Sequence, residues 1–420
     1  MTSGPVAGET SHIPTETDVL VVGAGPAGSA AAIWAARRGY GVVLADAAVF
    51  PRDKTCGDGL TPRAIGELEL LGLGDWIRER GVHRGVRLCG WRREVEFDWP
   101  GGSLPTISSA VPRIELDDKI RTTAVKVGAH MVEGAKAVRA NRVDGRVQSV
   151  TFQTVGGDRT IACKTLVIAD GVRSTLGKQL GRTWHRDTPY GVAVRAYVKS
   201  GRHDDPFITT YSELRDDSRK LRPGYGWVFP LSTGEVNIGL GYLATDKRPA
   251  HVALKPLLDS LVRQRRQDWQ FDGPVHSVTS ALLPLGGSVS TVAGPNWALL
   301  GDAAGCINPL NGEGIDYGLE AGRFLADLLG ESDLTDAWPH LLRAHYGKAF
   351  SVGRRIAWLS MLPGVLALSG PPLLWSKILG RISIRVLGNL VTDEDVDLVA
   401  RAWRTAGRGS LVLDRRAPFE

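Results

Sequence analysis

The run Val19-Leu20-Val21-Val22 feeds directly into Gly23-Ala24-Gly25-Pro26-Ala27-Gly28, and this junction constrains the fold more than any other stretch. An apolar strand that stops on glycines and continues into the small-residue segment Ser29 to Arg38 reads as strand, tight turn and helix. Gly41 to Asp46 reads as a second strand and closes a βαβ unit. Glycines at 23, 25 and 28 permit the tight turn and let a pyrophosphate approach the backbone at the helix N-terminus, with Ala24, Pro26 and Ala27 filling the turn around it. Asp46, at the end of the second strand, would hold ribose hydroxyls and favours a free ribose over a 2′-phosphate. A purely structural glycine turn is the competing reading.

Two more apolar strands end in similar turns. Thr165 to Ile168 precedes Ala169-Asp170-Gly171, and Trp297 to Leu300 precedes the segment from Gly301 to Gly322, GDAAGCINPLNGEGIDYGLEAG. Three strand ends therefore converge on one sheet. In the last segment Asp302 is suited to accept hydrogen bonds from ribityl hydroxyls. Peptide N–H groups around Gly312, Gly314 and Ile315, at a helix start, would stabilise negative charge on a reduced ring. By itself this segment is equally an ordinary loop before a helix. A nicotinamide dehydrogenase needs only the first turn, whereas ADGVRS at Ala169 to Ser174 and GDAA at Gly301 resemble the second and third fingerprints of hydroxylase-type FAD proteins, in the expected order. That resemblance implies FAD. It also implies that Asp170 belongs to the cofactor site, that Arg113 reaches the flavin phosphates and that Ala137 packs the adenine, although from its own residues Arg113 is equally a surface charge. No second G-x-G-x-x-G follows a strand, so reduction is expected from a transiently docked NAD(P)H or another electron carrier.

Between these turns lie segments of period-two alternation: Val86 to Trp99, Tyr190 to Val198, Phe207 to Leu214, Gly226 to Leu231, Glu235 to Tyr242 and Ser277 to Leu285. They predict antiparallel strands of a second sheet. The expected fold is α/β: a Rossmann-like FAD-binding domain of the hydroxylase type, an inserted antiparallel β-sheet substrate domain, and a C-terminal helical region. The FAD domain comprises residues 17–85, 113–183 and 286–340; the sheet domain comprises 86–112 and 184–285; the helical lid is 341–420. Residues 1–16 are polar and rich in Gly, Pro and Thr, and read as disordered, without the design of a secretory signal.

Ile356 to Ser376 contains no charged residue. A run of that length would suggest a membrane span, but Pro363-Gly364 and Ser369-Gly370-Pro371-Pro372 are expected to break it into two short apolar helices. Arg354, Arg355, Lys377, Arg381 and Arg385 flank them, which suits a segment lying in a lipid interface; a lid packed on the protein's own core is the alternative. The expected location is cytoplasmic, peripheral on the cytoplasmic face of the membrane. The net charge of +6 is modest, its arginines are dispersed, and no recognition motif points to nucleic acid. Four cysteines scattered singly argue against a metal site or a disulfide framework.

Pro51 to Ala64, PRDKTCGDGLTPRA, follows Asp46 closely enough to fold back along a flavin, bringing Arg52, Cys56 and Gly57 to the cofactor. Cys56 there would donate a proton, tune the ring or simply pack. This segment resembles the geranylgeranyl reductase family of flavoproteins, whose second hallmark is Y-x-W-x-F-P followed by eight residues and G-x-G. Here those positions are Tyr225, Trp227, Phe229 and Pro230, then Gly239 and Gly241. Asn308-Pro309-Leu310 and Gly312-Glu313-Gly314 match the family's third-site pattern, and Thr55 stands where many relatives have Pro. The resemblance covers roughly residues 18–420 and, within the family, is greatest to quinone-modifying members from actinobacteria.

The resemblance implies reduction of an isolated alkene in an isoprenoid chain, most closely one unit of a menaquinone side chain, with geranylgeranyl diphosphate or another prenyl lipid as alternative substrate. Such an alkene has no carbonyl to stabilise a carbanion, so the site must deliver a proton and a hydride while excluding water. On an alternating strand Tyr225, Trp227 and Phe229 share one face and would wall the substrate; an aromatic stripe in the sheet's core is the plain alternative. A flavin-dependent aromatic hydroxylase remains compatible with the fold. The W-x-W-x-I-P pattern of a halogenase is not matched by Tyr225 to Pro230.

Overall fold

The computed structural model describes residues 13–216, 218–249 and 253–420. The expected disordered start, residues 1–16, lies outside these except at its end, where Glu16 already opens the first strand.

Glu16–Val22 is an inner strand of an eight-stranded sheet. It pairs in parallel with Val42–Ala45 on one side and with the end of Gly157–Ile168 on the other, and the latter pairs in parallel with Trp297–Leu299. Val19 to Val22 are buried throughout, as a strand covered on both faces requires. The register sets Val22 beside Ile168 and Ile168 beside Leu299. All three glycine-containing turns therefore leave from the carboxyl ends of the parallel strands of one mixed sheet, where ligands bind in open α/β folds.

Helix Pro26–Arg37 packs on helix Ile315–Asp327 through glycines: a Cβ on Gly322 would lie 2.7 Å from the Ala31 nitrogen, and one on Gly318 would lie 3.1 Å from the Ala27 Cβ. A Cβ on Gly301 would meet Ala27 at 3.0 Å. The first turns of both helices thus share one place, at the mouth of the three turns.

The second sheet runs Phe271–Leu283, Tyr190–Ser200, Glu235–Ala244, Gly224–Pro230, Phe207–Tyr211, Gly85–Gly90, Arg93–Asp98. Neighbours are antiparallel except Phe207–Tyr211 beside Gly85–Gly90, which are parallel. That junction joins two chain excursions separated by the nucleotide-type sheet, so no hairpin dictates its direction. The expected segment Val86 to Trp99 is a hairpin whose turn residues, Trp91 and Arg92, both have positive φ. One face of the sheet packs Val194, Val228, Ile238 and Leu240 against helix Leu254–Arg265. The other face looks back at the parallel sheet.

The C-terminal region corrects the expectation in two respects. Helix Lys348–Ser360 ends before Pro363-Gly364 as expected, but Val365–Trp375 continues through Ser369 to Pro372. Two adjacent prolines forfeit hydrogen bonds here, yet tertiary packing holds the helix: a Cβ on Gly370 would lie 2.0 Å from the Trp91 ring, so the glycine is the socket for the hairpin's tryptophan. Phe97 seats in the same way on Gly380 of helix Lys377–Leu387. Secondly, Arg354 and Arg355 pair with Asp414, and Arg385 with Asp395 and Asp397, so only Lys377 and Arg381 of the five flanking cations lack an acidic partner among the described residues. The outward face is apolar, with Leu368, Trp375 and Ile378 between 64% and 81% exposed. No single helix among the described residues is long and apolar enough to cross a membrane; Ala337–Ser360 and Val365–Trp375 reach that length and composition only together, bent by 113°.

Candidate active site

Gly23 has φ +105° and a Cβ there would lie 2.2 Å from the Ala169 carbonyl oxygen, while one on Gly28 would lie 1.8 Å from the Gly23 oxygen. Only glycine fits either position. Gly25 instead leaves a little room: a Cβ placed there would meet Arg52, Arg113 and Asp117 at ordinary contact distances of 3.7 to 4.0 Å. The helix that begins at Pro26 has no side-chain cap, so its first N–H groups point into this space. Arg113, expected from resemblance and left open as a surface charge, is 3% exposed and binds Asp117 through two nitrogens at 2.5 and 2.7 Å. Arg52 reaches the same carboxylate at 3.0 Å. Arg52 also stands 3.8 Å from Asp46, so two guanidinium groups and two carboxylates border an uncapped helix start, whose N–H groups and arginine nitrogens are the donors it offers a phosphate.

Asp46 accepts from the Ala24 N–H at 2.7 Å and from the Ala48 N–H at 2.8 Å. It therefore braces the glycine turn while each oxygen keeps a lone pair. Ala137 lies in Lys136–Val143, just past the point where the Ala135 N–H bonds the Asp46 carbonyl at 2.8 Å.

At the third turn the Asp302 carboxylate receives the Lys54 ammonium at 2.9 Å. Burial pushes its pKa up, but Lys54, with Arg113 and Arg182 nearby, holds it below the usual range, so Asp302 is an anion. The turn is more self-sufficient than its sequence implied. The Gly312 N–H bonds the Asn308 carbonyl and the Glu313 N–H bonds the Asn311 side chain, so Gly312 does not present a free donor. Gly314 and Ile315, at the uncapped start of Ile315–Asp327, keep theirs, and a Cβ on Gly314 would stand 3.6 Å from Asp302. Asp170 at the second turn keeps one buried oxygen, and Arg182 one buried nitrogen, without a partner. Unsatisfied buried polar atoms of this kind call for a ligand or water. Glycine clefts, uncapped helix starts, paired arginines and these two atoms together fit a dinucleotide such as FAD.

Cys56 to Gly59 lies directly on the aromatic strand. A Cβ on Gly57 would touch the Trp227 ring at 3.3 Å, and one on Gly59 would overlap Phe229 at 2.9 Å. Tyr225, Trp227 and Phe229 do share one face, with successive ring centroids 5.9 and 6.1 Å apart, and Pro230 ends the strand. The Tyr225 hydroxyl donates to the Asn311 carbonyl, tying the wall to the third turn.

Residues that sequence reasoning missed hold these pieces together. Asn237 is fully buried; its side-chain oxygen accepts from the Trp227 indole at 2.9 Å, and its nitrogen donates to the Cys56 carbonyl at 2.9 Å and to Asp58 at 2.8 Å. Tyr197 donates to the same Asp58 oxygen at 2.6 Å. Arg195, 1% exposed, bonds Asp53 and so pins the start of the loop. Glu313 takes the Thr61 hydroxyl at 2.5 Å, and burial raises its pKa. Burial raises the Cys56 thiol as well, opposed by Arg113, so the thiol stays protonated at neutral pH. Asp58 and Asn237 stood inside quoted motifs as unassigned positions; their partnership is not visible in spacing. A separate cavity of about 430 Å³, lined by Arg87, Arg202, Arg265, Glu213 and Asp268, opens on the far face of the second sheet and contains none of the motif residues.

Residues 16–218 match the model of an FAD binding domain. A menaquinone reductase from Mycolicibacterium smegmatis is 56% identical over 409 residues, spanning 96% of this chain and 99% of the relative. A digeranylgeranylglycerophospholipid reductase from Methanopyrus kandleri is 30% identical over 76% of this chain and 81% of its own length. Among solved structures, a geranylgeranyl bacteriochlorophyll reductase-like protein from Thermoplasma acidophilum superposes with a TM-score of 0.76 at 20% identity, covering 93% of this chain and 99% of that one.

Proposed function

The chain belongs to the geranylgeranyl reductase family of FAD-dependent oxidoreductases, in its menaquinone reductase branch, and on that premise we propose that it saturates one isoprene unit of the menaquinone side chain. FAD, when bound and reduced, supplies the hydride; the chain's own residues supply position, dryness and the proton.

The observation that carries this reading is the contact between the aromatic strand and the Cys56 loop beside the three turns. Gly23 to Gly28, with Arg52 and Arg113, would hold the pyrophosphate; Asp46 would take the ribose and Ala137 would border the adenine. Asp170, Asp302 and Gly57 would line the flavin, and the N–H groups of Gly314 and Ile315 would face its most electron-rich edge; Gly312 would contribute turn shape. Tyr225, Trp227, Phe229 and Pro230 would wall the chain of isoprene units, whose aromatic neighbours favour developing positive charge and exclude water. Cys56 is the group we assign to proton delivery, being a protonated thiol on the loop whose Gly57 and Gly59 pack against that wall.

A prenyl chain partitions into lipid, and the outward face of the C-terminal helices suits that origin. Trp375, Ile378, Leu379 and Ile382 form its apolar side, with Lys377 and Arg381 positioned for phosphate headgroups, which supports a peripheral, membrane-facing enzyme. The electron donor is proposed as a transiently docked NAD(P)H or another carrier. An aromatic hydroxylase shares only the fold with these observations.

Reduced enzyme incubated without oxygen with menaquinone and, in parallel, with geranylgeranyl diphosphate tests the assignment by mass spectrometry. The menaquinone product should gain a pair of hydrogens. Saturation of the diphosphate alone would move the substrate to the alternative, and no saturated product from either would refute the reading.

A further inference from the structure

Asn237 stands on Glu235–Ala244 with no exposed surface, opposite Phe229 in the sheet register. An amide side chain offers one acceptor oxygen and two N–H donors, and here each is used on a different group. The oxygen accepts from the Trp227 indole at 2.9 Å, and the nitrogen donates to the Cys56 carbonyl at 2.9 Å and to the Asp58 carboxylate at 2.8 Å. Turning the amide over would set N–H against the indole N–H and oxygen against two oxygens, so a single orientation satisfies the site. The bond to Cys56 has no substitute. Among the described residues it is the only hydrogen bond to the backbone of Thr55, Cys56 or Gly57, a stretch without regular secondary structure. The indole is fixed from the same strand. Gly239, two residues on and on the same face, seats the ring so closely that a Cβ there would lie 2.3 Å from it. The indole nitrogen that Asn237 binds is also one of the atoms a Cβ on Gly57 would touch at 3.3 Å. One buried amide therefore holds both sides of the contact between loop and wall.

We propose that Asn237 is a positioning residue for proton delivery: by holding the Trp227 indole and the Cys56 carbonyl at once, it fixes where the Cys56 thiol stands relative to the aromatic wall. The inference rests on Cys56 as proton donor in the proposed reaction. There, the Cys56 S–H bond breaks as a C–H bond forms at one alkene carbon, the other carbon receives the hydride from the reduced cofactor, and the half-buried thiolate regains a proton from water between turnovers. Such a step depends steeply on where the donor sits. Arg195 fixes Asp53 and Tyr197 fixes Asp58, which secures the two ends of the loop, but the backbone at Cys56 itself answers only to Asn237. The residue type follows from this geometry. An aspartate would lack both donors, and a glutamine would carry them one methylene too far.

Asn237→Ala removes all three bonds, and Asn237→Ser removes them while leaving room for water to satisfy the indole and the carbonyl. In both holoenzymes bound flavin per chain should match wild type and KM for menaquinone should stay within about twofold, while the first-turnover rate of flavin reoxidation falls about tenfold or more, because small displacements of a reacting group are costly. Since Asn237 acts through the thiol, the same substitutions in a Cys56→Ser background should cost less than about twofold further. Alkylation of the holoenzyme with iodoacetamide, followed by peptide mass, should label Cys56 at least about threefold faster in both variants, with Cys163 on Gly157–Ile168 as the unchanged reference. Wild-type rates or wild-type labelling in both variants overturn the proposal. Flavin loss from both, a KM that rises in proportion as the rate falls, or a full further loss in the Cys56→Ser background overturns it as well, since each makes Asn237 a structural residue that does not act through the thiol. The labelling uses no substrate: if Cys56 is released while wild type reduces no prenyl compound, the proposed reaction is wrong and Asn237 remains the anchor of the loop.

Discussion

The Tyr225 hydroxyl donates a hydrogen bond to the backbone carbonyl of Asn311, joining the aromatic strand to a turn 86 residues further along the chain. Tyr225 is thereby both a wall of the site and a brace for the third turn. Tyr225→Phe keeps the ring and removes the brace. Denaturant unfolding should register a loss of about 1 kcal/mol. Its KM for the prenyl substrate should rise while FAD remains bound, because the wall loses its reference to the turn. A variant indistinguishable from wild type in both would show that this bond organises nothing.

Gly59 faces Phe229 so closely that Gly59→Ala must displace the ring or the loop, the new Cβ falling 2.9 Å from the ring edge. Overpacking of this kind costs roughly 1–3 kcal/mol. We expect turnover to fall sharply with FAD content unchanged, as measured by bound flavin per chain. Gly57→Ala, at 3.3 Å from Trp227, should be milder. Equal effects from the two would argue against direct packing of loop on wall.

The buried Asp58 also makes stability depend on pH in a known direction. Its pKa rises from 3.8 to about 6 on folding, so its contribution is fully present below the unfolded value and is lost as pH rises through about 6. Asp58→Asn removes the penalty of a buried charge. Relative to wild type, the variant should gain stability from acid to neutral pH, by up to about 3 kcal/mol if the whole shift is expressed. Parallel unfolding curves at both ends of that range would mean Asp58 does not titrate between them.

Much of this was legible in residues and some was not, for identifiable reasons. The strand and glycine turn at Val19 to Gly28 announced themselves because burial on both faces and a φ of +105° admit few side chains. The shared face of Tyr225, Trp227 and Phe229 followed from the two-residue period of a strand. The hairpin within Val86 to Trp99 left a trace that alternation alone conceals. Its inward apolar positions change from even numbers, Val86 and Leu88, to odd, Val95 and Phe97, across the two-residue turn at Trp91 and Arg92. The helix across Pro371 and Pro372 was hidden because its support is Trp91, nearly three hundred residues earlier. The link between Asp58 and Asn237 was likewise hidden, since a side-chain bond across 179 residues leaves no spacing to read.

Exposed apolar side chains on the C-terminal helices give the membrane reading its own test. Trp375→Ser with Ile378→Ser removes surface that would each contribute about 1.5–3 kcal/mol if fully buried in lipid. Sedimentation with anionic vesicles should show binding weakened by at least about tenfold, and added salt should weaken wild type through Lys377 and Arg381. FAD content should not change. Vesicle binding unaffected by either change would leave this face without a lipid role.

The most direct measurement is an anaerobic single turnover in which reduced enzyme is mixed with menaquinone, and flavin reoxidation and product mass are followed together. The account predicts one saturated isoprene unit for each flavin reoxidised, with no need of oxygen. Flavin that stays reduced, or is reoxidised without a hydrogenated product, would contradict it.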